Sequence, residues 1–477
     1  MRLQDQITLP QIIQGGMGVG VSNWRLARAV SRTGQLGVVS GTALDQVLAR
    51  RLQDGDPGGD MRRALRAFPV PTIADRILNE LYIPGGKAAA ASYFSLPMPS
   101  RDISRETLEL YMVSNFVEVW LAREGHSNPV GINYLEKLQI PHLASIYGAM
   151  LAGVDYVLMG AGIPSRIPGM LDHFVNHEAA EYPLQVSGAT DEDDTLLTFK
   201  PRDYLSGELP PLKRPRFLAI IASNTLAVSL LRRSNGKVDG FVVEGAVAGG
   251  HNAPPRGQLH LSDAGEPVYS ERDVVDLEKL RTLGVPFWLA GGFGSPGRLQ
   301  ESLDAGGAGI QVGTAFAFCE ESGVRRDFRE QVLNRVKTGS ATVFTDPYAS
   351  PTGFPFKVAN LPGTASESAV YGARPRVCDL GYLREAYKTP TGEIGYRCPG
   401  EPVTVYAAKG GKPEDTEGRK CLCNGLMANI GHQQIRAGKH GEPGLLTAGD
   451  DLVALRTFLP SEGVNYSAAH VIGILTS

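Results

Sequence analysis

The 477-residue chain lacks the features that mark several classes of protein. Its longest apolar tract, around residues 149–161, is broken by Asp155 and by glycines, which argues against a membrane span. Residues 1–6 lack the apolar core of a secretory signal peptide. Five cysteines, an odd number, do not indicate a disulfide-stapled secreted fold. We therefore expect a soluble, cytoplasmic protein with no membrane partner.

The chain also lacks an excess of charge of either sign. Its formal net charge is -3, so no basic surplus is available to neutralise phosphates, and a general nucleic-acid binder is excluded. Hydrophobic residues make up 42% and charged residues 20% of the chain, which is typical of a folded globular protein and not of a disordered one. The length fits one large α/β barrel with an appendage.

Glycine, in contrast, is abundant. The 57 glycines gather after predicted strands instead of forming repeats, which favours ligand-binding loops over low-complexity sequence. Short runs of apolar and β-branched residues predict buried strands. Eight such runs occur, at residues 10–14, 36–40, 129–133, 156–161, 217–223, 240–243, 286–290 and 309–312. Helical patterns lie between most of them, the first beginning after the capping residues Ser22 and Asn23.

This alternation predicts an α/β fold with a parallel sheet, and eight strands is the number of a (β/α)₈ TIM barrel. A doubly wound open sheet is the alternative, although it does not require eight strands. We predict that the barrel spans residues 1–340, with inserted segments at about 54–125 and 185–213. From residue 341 to 477 the alternation of predicted strands and helices stops, and Pro/Gly-rich sequence predicts an irregular C-terminal extension packed on the barrel.

The stretch after the sixth predicted strand combines three chemical features. It brings a carboxylate, Glu244, a glycine pair, Gly249-Gly250, and an imidazole, His251, within eight residues. Glycine permits a tight turn or close approach to a ligand, and histidine exchanges a proton near neutral pH. Taken alone, the stretch fits a simple turn as well as a pocket. At the carboxyl end of a barrel strand, where barrel active sites are built, the pocket is favoured.

Two further glycine loops follow the seventh and eighth strands, the places where such barrels often hold phosphate. They are Gly291-Gly292 and Gly313-Thr314. Backbone N–H groups there can face phosphate oxygens, and a following helix would add a favourable dipole. The glycines could also serve only as tight turns, but their presence after both strands favours a phosphate-bearing ligand.

The remaining ligand contacts are predicted after the first and third strands. Residues 15–18 (Gly15, Gly16, Met17 and Gly18) allow close backbone approach and offer one flexible apolar side chain to a flat ring. Asn133 can hydrogen-bond the edge of a heterocycle, as can Gln311, for which a structural role fits equally well. A flat ring, a polar edge and a phosphate together match flavin mononucleotide, FMN.

Five segments together resemble the nitronate monooxygenase family, formerly called 2-nitropropane dioxygenases. They are residues 14–18, 130–133, 244–251, 290–293 and 309–316, in order within about residues 7–340. The Ala-Gly-Gly-His element is the most specific of them. The resemblance implies an FMN-dependent oxidoreductase that uses O2 to convert alkyl nitronates to carbonyl compounds and nitrite. Flavin-dependent enoyl reductases, which take hydride from NAD(P)H, are similar over the same barrel and are the alternative.

The resemblance also implies roles for the individual residues. Gly291, Gly292, Gly313 and Thr314 would hold the FMN phosphate, and Met17 and Asn133 would contact the isoalloxazine. His251 would be the catalytic residue that faces the substrate, as a general base or, when protonated, as a partner of the anionic nitronate. Glu244 is expected to bond the ribityl chain of the flavin or the barrel rim, and is less expected to transfer protons. A homodimer is a family-level expectation.

Two departures from the family leave the small-molecule substrate open. The loop at residues 252–257 is longer and richer in proline than the glycine-rich continuation typical of nitronate oxidases, and the segment at residues 54–100 is inserted. Both would reshape the substrate pocket. A non-catalytic barrel that binds a phosphorylated ligand, with the tail as an interaction module, is a further alternative.

Four of the five cysteines lie in the C-terminal extension, at Cys378, Cys398, Cys421 and Cys423. A four-thiolate metal site is conceivable, but the first two stand alone and the Cys-x-Cys spacing is tighter than the usual ligand pair. We therefore predict buried reduced thiols and no metal.

Overall fold

The structure, a computed structural model, describes residues 9–436 and 440–477. Its centre is one parallel sheet whose strands we number along the chain. They are β1 (Ile12–Gln14), β2 (Gly37–Ser40), β3 (Val130–Leu135), β4 (Tyr156–Gly160), β5 (Arg216–Ile221), β6 (Gly240–Glu244), β7 (Phe287–Ala290) and β8 (Gly309–Val312). Every predicted strand is therefore present.

The sheet closes into a barrel. From β2 to β8 each strand pairs in parallel with the next in the chain, and β8 pairs with β1. The last gap, between β1 and β2, is closed by two backbone hydrogen bonds: Gln14 N–H donates to Leu36 O (2.9 Å), and Leu36 N–H donates to Ile12 O (3.0 Å). The predicted (β/α)₈ barrel is thus confirmed, and the open sheet is excluded.

Apolar side chains fill the inside of the barrel, as its closure requires. Trp288 is fully buried there, and its indole N–H donates to Pro10 O (2.7 Å), so that burial leaves no unpaired polar group on this side chain. The cluster around it contains Ile13, Leu36, Val38, Tyr156, Leu158, Leu218, Val242 and Ala290. Because this core fills the barrel, a ligand has room only at the ends of the strands.

Helices surround the barrel and fill the inserted segments. Those up to residue 233 are α1 (Trp24–Ser31), α2 (Leu44–Gln53), α3 (Asp60–Arg66), α4 (Pro71–Leu81), α5 (Arg105–Arg123), α6 (His142–Leu151), α7 (Ile167–Val175) and α8 (Asn224–Arg233). Those that follow up to residue 338 are α9 (Leu277–Arg281), α10 (Arg298–Asp304), α11 (Thr314–Ala317) and α12 (Arg326–Thr338). As predicted, Asn23 caps α1, its side chain accepting from Leu26 N–H (3.0 Å).

Short strands outside the barrel form small ribbons. Ala180–Pro183 pairs with Leu196–Phe199 in the second inserted region, and Val343–Asp346 pairs with Phe356–Ala359. A hairpin of Glu385–Lys388 and Ile394–Arg397 also binds Val186–Ser187, and Ile435–Arg436 pairs with His440–Gly441.

The C-terminal region contains more regular structure than its sequence suggests. It forms α13 (Ser368–Ala373), α14 (Val403–Ala408), α15 (Leu422–Asn429) and α16 (Ala468–Leu475), with 3₁₀ turns at Pro413–Thr416 and Asp450–Phe458. Two further 3₁₀ turns, Pro201–Asp203 and Glu271–Asp273, lie within the barrel region. Each element is too short to show a clear period in the sequence. Leu446, Leu452 and Phe458 of this region share one buried cluster with Leu26 of α1 and Phe316 of α11. These contacts hold it against the barrel.

In residues 9–436 and 440–477, no helix combines the length and apolar character needed to cross a membrane. The apolar face of α5 instead packs inside the protein, against α6.

The contact between α5 and α6 depends on a glycine and gives a test of the packing. A Cβ atom added at Gly148 would lie 1.9 Å from Met112 O of α5. We expect Gly148→Ala to lower the free energy of unfolding by about 1–3 kcal/mol, because the helices must separate. The measurement is urea unfolding followed by circular dichroism.

Gly372→Ala is the matched control, since Gly372 is also helical but has no atom within 4 Å of the added Cβ. It should keep or slightly raise stability through the better helix propensity of alanine. Equal effects of the two substitutions would contradict the packing described here.

Candidate active site

A cavity of about 480 Å³ lies at the carboxyl ends of the barrel strands. Its volume lies within the range of small-molecule sites. All the predicted site residues line it: Gly15, Gly16, Met17, Gly18, Asn133, Glu244, Gly249, Gly250, His251, Gly291, Gly292, Gln311, Gly313 and Thr314. The structure therefore brings together side chains that are almost 300 residues apart in the sequence.

The loop after β1 is fixed by one buried hydroxyl. Ser22 Oγ accepts from Met17 N–H (2.9 Å) and donates to Gly15 O (2.9 Å), and the Gln14 side-chain amide donates to the same Oγ (2.9 Å). A Cβ at Gly16 would lie 2.4 Å from the Cβ of Asn133, so only glycine fits at this position. The loop is thus held rigidly over the ends of β1 and β3.

Four amide side chains that line the cavity carry unpaired acceptor oxygens, those of Asn133, Asn252, Gln311 and Asn429, and two of them were predicted as site residues. Asn133 Oδ1 and Gln311 Oε1 are buried and have no hydrogen-bond partner among the described residues. A buried acceptor without a partner costs about 1–3 kcal/mol, so both atoms call for a donor from a ligand. The ring N–H and the ribityl hydroxyls of a flavin are donors of this kind. The polar groups of the cavity therefore fit the cofactor that the sequence predicts.

The loops after β7 and β8 have the backbone freedom expected of an anion site. Gly291 and Gly292 adopt φ angles of +81° and +82°, in the left-handed region where side chains are strained. Any Cβ at Gly291 would also lie 3.0 Å from Gly245 O. The helix that begins at Thr314, however, has only four residues. Its dipole is correspondingly small, so backbone N–H groups must provide most of the attraction for a phosphate.

The C-terminal region completes this cavity through backbone contacts. Gly449 N–H donates to Thr314 Oγ1 (2.9 Å), and Asp450 N–H donates to Val247 O (3.0 Å). Gly250 N–H donates to Thr447 Oγ1 (2.8 Å). We call residues 447–451 the tail strap, since they join the loops after β6 and β8. No motif in these residues marks a ligand site, so the tail strap could not be predicted from the sequence.

Asp451 brings a carboxyl group from the tail strap to the cavity wall. Burial, more than any other influence, raises its pKa above the usual value, and the neighbouring Asp450 charge acts in the same direction. A protonated Asp451 carboxyl would not repel a phosphate as a carboxylate would. It could also donate a hydrogen bond to that phosphate. Asp451 is a second site residue that the sequence did not reveal.

His251 is held by two contacts from the segment after the barrel. Its Nε2 lies 2.7 Å from Ser350 Oγ, and its ring meets Phe356 edge-to-face at 5.0 Å between centroids. Burial, together with the positive charge of Lys137, lowers the pKa of His251 to about 4. The imidazole is therefore neutral at neutral pH. In the ligand-free protein it can act there as a free base.

Glu244 has the opposite electrostatic character. It ends β6, and burial raises its pKa to about 7. Within the described residues it forms no ion pair and no side-chain hydrogen bond that would stabilise its charge. A carboxyl with such a pKa can exchange a proton at neutral pH. The structure thus gives Glu244 a capacity for proton transfer that its sequence position did not suggest.

A second cavity, of about 670 Å³, adjoins the first. The two share Leu138, Tyr382 and Leu383 in their walls. Lys137, Arg384 and Arg419 contribute positive charge to the second cavity, and Glu385 and Asp415 contribute negative charge. The site thus has room beside it for a polar part of a larger ligand.

The raised pKa of Glu244 predicts a pH-dependent stability. Below its ordinary pKa of 4.5 the carboxyl is protonated in both the folded and the unfolded chain, and no cost arises. Between pH 4.5 and about 7 the unfolded chain carries an ionised Glu244 while the folded protein keeps this carboxyl protonated, so the free energy of unfolding falls as pH rises, and the fall levels off once the folded carboxyl ionises. In ligand-free protein, Glu244→Gln should therefore gain up to about 3 kcal/mol over the parent between pH 4.5 and 8.

Urea unfolding at pH 5 and pH 8 measures this gain. Glu278→Gln is the control, since the Glu278 side chain is 86% exposed and its substitution should have the same small effect at both pH values. If the free energies of unfolding of Glu244→Gln and the parent differed by the same amount at both pH values, the pKa of the Glu244 carboxyl would not be raised.

With the site described, comparison with known proteins gives two sequence matches. The family model for nitronate monooxygenase matches residues 213–350. A probable nitronate monooxygenase of Bacillus subtilis (strain 168) is 30% identical over 161 residues, which are 32% of this chain and 44% of that protein. The chain therefore aligns with less than half the length of this relative.

Among solved structures, FabK from Thermotoga maritima covers 98% of this chain and 91% of its own, with 15% identity and a TM-score of 0.46. Nitroalkane oxidase from Streptomyces ansochromogenes covers 98% and 94%, with 15% identity and a TM-score of 0.45. The enoyl reductase domain of MlnA from Bacillus amyloliquefaciens covers 98% and 92%, with 12% identity and a TM-score of 0.46.

The fold defines the class of protein as a (β/α)₈ barrel, and residues 213–350 of that barrel match the nitronate monooxygenase family model. The particular likeness is to the nitronate monooxygenases, and the resemblance seen in the sequence motifs is confirmed. The family match spans β5 to β8 and includes Glu244, His251 and Ser350. The loops after β1 and β3, with Met17 and Asn133, lie outside it.

Proposed function

We propose that this protein is an FMN-dependent oxidoreductase of the nitronate monooxygenase type. The observation that carries the proposal is the convergence of three groups on one cavity: the glycine loops after β1, β7 and β8, the unpaired amide acceptors, and His251. No one of these groups requires a flavin. Together they offer places for a phosphate, a hydrogen-bonding heterocycle and a substrate.

The bound cofactor would supply the electron transfer from an alkyl nitronate to O2, with a carbonyl compound and nitrite as products. The protein's part is to bind, orient and exchange protons. With Nε2 held by Ser350, the neutral His251 leaves Nδ1 to accept the α-proton of a nitroalkane. Glu244, which titrates near neutrality, can take up or release a proton at the end of β6.

A second candidate is an NAD(P)H-dependent enoyl thioester reductase. The adjoining cavity favours it, because a small nitronate leaves about 670 Å³ of polar space unused, whereas a thioester with a long polar arm would occupy it. Lys137 and Arg384 suit an anionic arm. Consumption of O2 with a nitronate, compared with consumption of NAD(P)H with an enoyl thioester, distinguishes the two reactions.

The primary test is the visible absorption spectrum of the purified protein, with added FMN if the protein is colourless. A protein that neither contains nor takes up FMN would contradict both enzyme proposals. Bound flavin that no donor reduces would favour the non-catalytic barrel. The cytoplasmic location and the homodimer remain predictions.

His251→Ala should leave the flavin spectrum unchanged and lower turnover by about 10²-fold or more, since it removes the proton-exchanging group. Turnover is measured on whichever substrate the parent oxidises or reduces. The control is His173→Ala, because His173 lies on the surface, with a side chain that is 55% exposed. If His251→Ala turned over at the parental rate, His251 would have no part in the reaction.

Thr314→Val should weaken FMN binding by about tenfold, because it removes a hydroxyl at the phosphate loop and the acceptor of Gly449 N–H. Quenching of flavin fluorescence on titration of the ligand-free protein gives Kd. Thr314→Ser keeps the hydroxyl and should bind nearly as well as the parent. Equal affinities of the valine and serine variants would place the phosphate elsewhere.

A further inference from the structure

Four of the five cysteines, separated in the sequence, meet in one place in the fold. Cys378, Cys398, Cys421 and Cys423 line a single small cavity of about 10 Å³, roughly the space of one water molecule. All are free thiols. The same cavity is lined by Leu380, Leu383 and Leu422, which also line the active-site cavity. The thiol cluster therefore adjoins the candidate active site, and Cys423 lines both cavities.

The arrangement of these thiols does not match a metal centre. Among the described residues, no three His, Cys, Asp or Glu side chains are placed so that they could hold a metal ion together. A cavity lined with four free thiols that do not form such a ligand group points to thiol chemistry. The four thiols differ in their capacity to react.

Within the cluster, Cys378 and Cys398 are each the largest influence on the other's pKa. Hydrogen bonding from the Cys398 thiol lowers the pKa of Cys378, and the positive charge of Arg384 acts in the same direction. The pKa of Cys398 is raised, by its interaction with Cys378 and by burial. Burial likewise raises the pKa values of Cys421 and Cys423. Cys378 is thus the thiol with the greatest thiolate character, and it has a second thiol beside it.

The two thiols also differ in their access to solvent. Cys378 is partly exposed, whereas Cys398 is only 6% exposed. A small reagent therefore reaches Cys378 first. The two residues flank the hairpin of Glu385–Lys388 and Ile394–Arg397, whose antiparallel pairing brings the chain back on itself. Cys398 directly follows the second strand, so a bond between the sulfurs would close a loop that the hairpin has already formed.

We propose that Cys378 and Cys398 are a peroxide-sensitive thiol pair that closes to a disulfide beside the candidate active site. The thiolate of Cys378 attacks one oxygen of hydrogen peroxide, the O–O bond breaks, and hydroxide leaves, which gives a sulfenic acid. The Cys398 sulfur then attacks the sulfenic sulfur, the S–OH bond breaks, and water leaves with the Cys398 proton. Overall, two thiols are oxidised to one disulfide while one peroxide is reduced to two waters.

The disulfide would act on the wall shared by the two cavities. Leu380, Tyr382 and Leu383 lie between Cys378 and the hairpin, and all three line the active-site cavity. A bond across the hairpin would restrict this segment. The proposal does not depend on the identity of the substrate, since it rests on the thiols alone.

The test uses the full-length protein treated with a small excess of hydrogen peroxide, followed by thiol titration and mass spectrometry of alkylated peptides. We expect the loss of two of the five thiols, a peptide crosslink between Cys378 and Cys398, and recovery of both thiols with dithiothreitol. Cys319 serves as the internal control. It is fully buried and its pKa is raised well above the usual value, so it should remain unmodified.

Cys378→Ser and Cys378→Ala should each abolish the crosslink and the loss of two thiols, whereas Cys319→Ser should keep both. If a variant fails to fold, the crosslink and the thiol count of the unsubstituted protein still test the proposal. A crosslink between Cys421 and Cys423, no loss of thiols, or one tightly bound zinc or iron per chain with unreactive thiols would each overturn the proposal.

Discussion

The common direction of the eight barrel strands is the constraint on which the candidate site depends. Because β1 to β8 are all parallel, the residues that follow them meet at one end of the barrel. The interior offers no room for a ligand, since side chains such as Trp288 fill it. Each strand therefore contributes a short loop to one shared cavity. Residues as distant in sequence as Gly15 and Thr314 become neighbours for this reason alone.

The barrel does not complete the cavity by itself. Backbone N–H groups of the tail strap bind Thr314 and Val247, and Thr447 accepts from Gly250 N–H. Ser350, which also follows the barrel, orients His251. The C-terminal region thus contributes hydrogen bonds to the cavity as well as packing against the barrel. It also supplies Asp451 and the thiol cluster, neither of which has a counterpart within the barrel.

Burial shifts the pKa values of His251 and Glu244 in opposite directions, since it always disfavours the charged form. The histidine loses its proton more readily, so the pKa of His251 falls to about 4, and the carboxyl keeps its proton longer, so the pKa of Glu244 rises to about 7. Neither group is fully charged at neutral pH, where both can exchange protons with a substrate. Both pKa shifts result from enclosure in the cavity and not from any single sequence motif.

The sequence by itself determined the eight strands, the capped helix at Asn23 and the glycine loops, because each of these follows from local periodicity or from backbone freedom that only glycine provides. It also predicted His251 and Asn133 as site residues from their positions after strands, and both line the cavity. Tertiary structure alone decided the protonation of Glu244, the contacts of the tail strap and the meeting of Cys378 with Cys398. These features depend on burial and on contacts between distant segments, and neither quantity is encoded in a local pattern of residues.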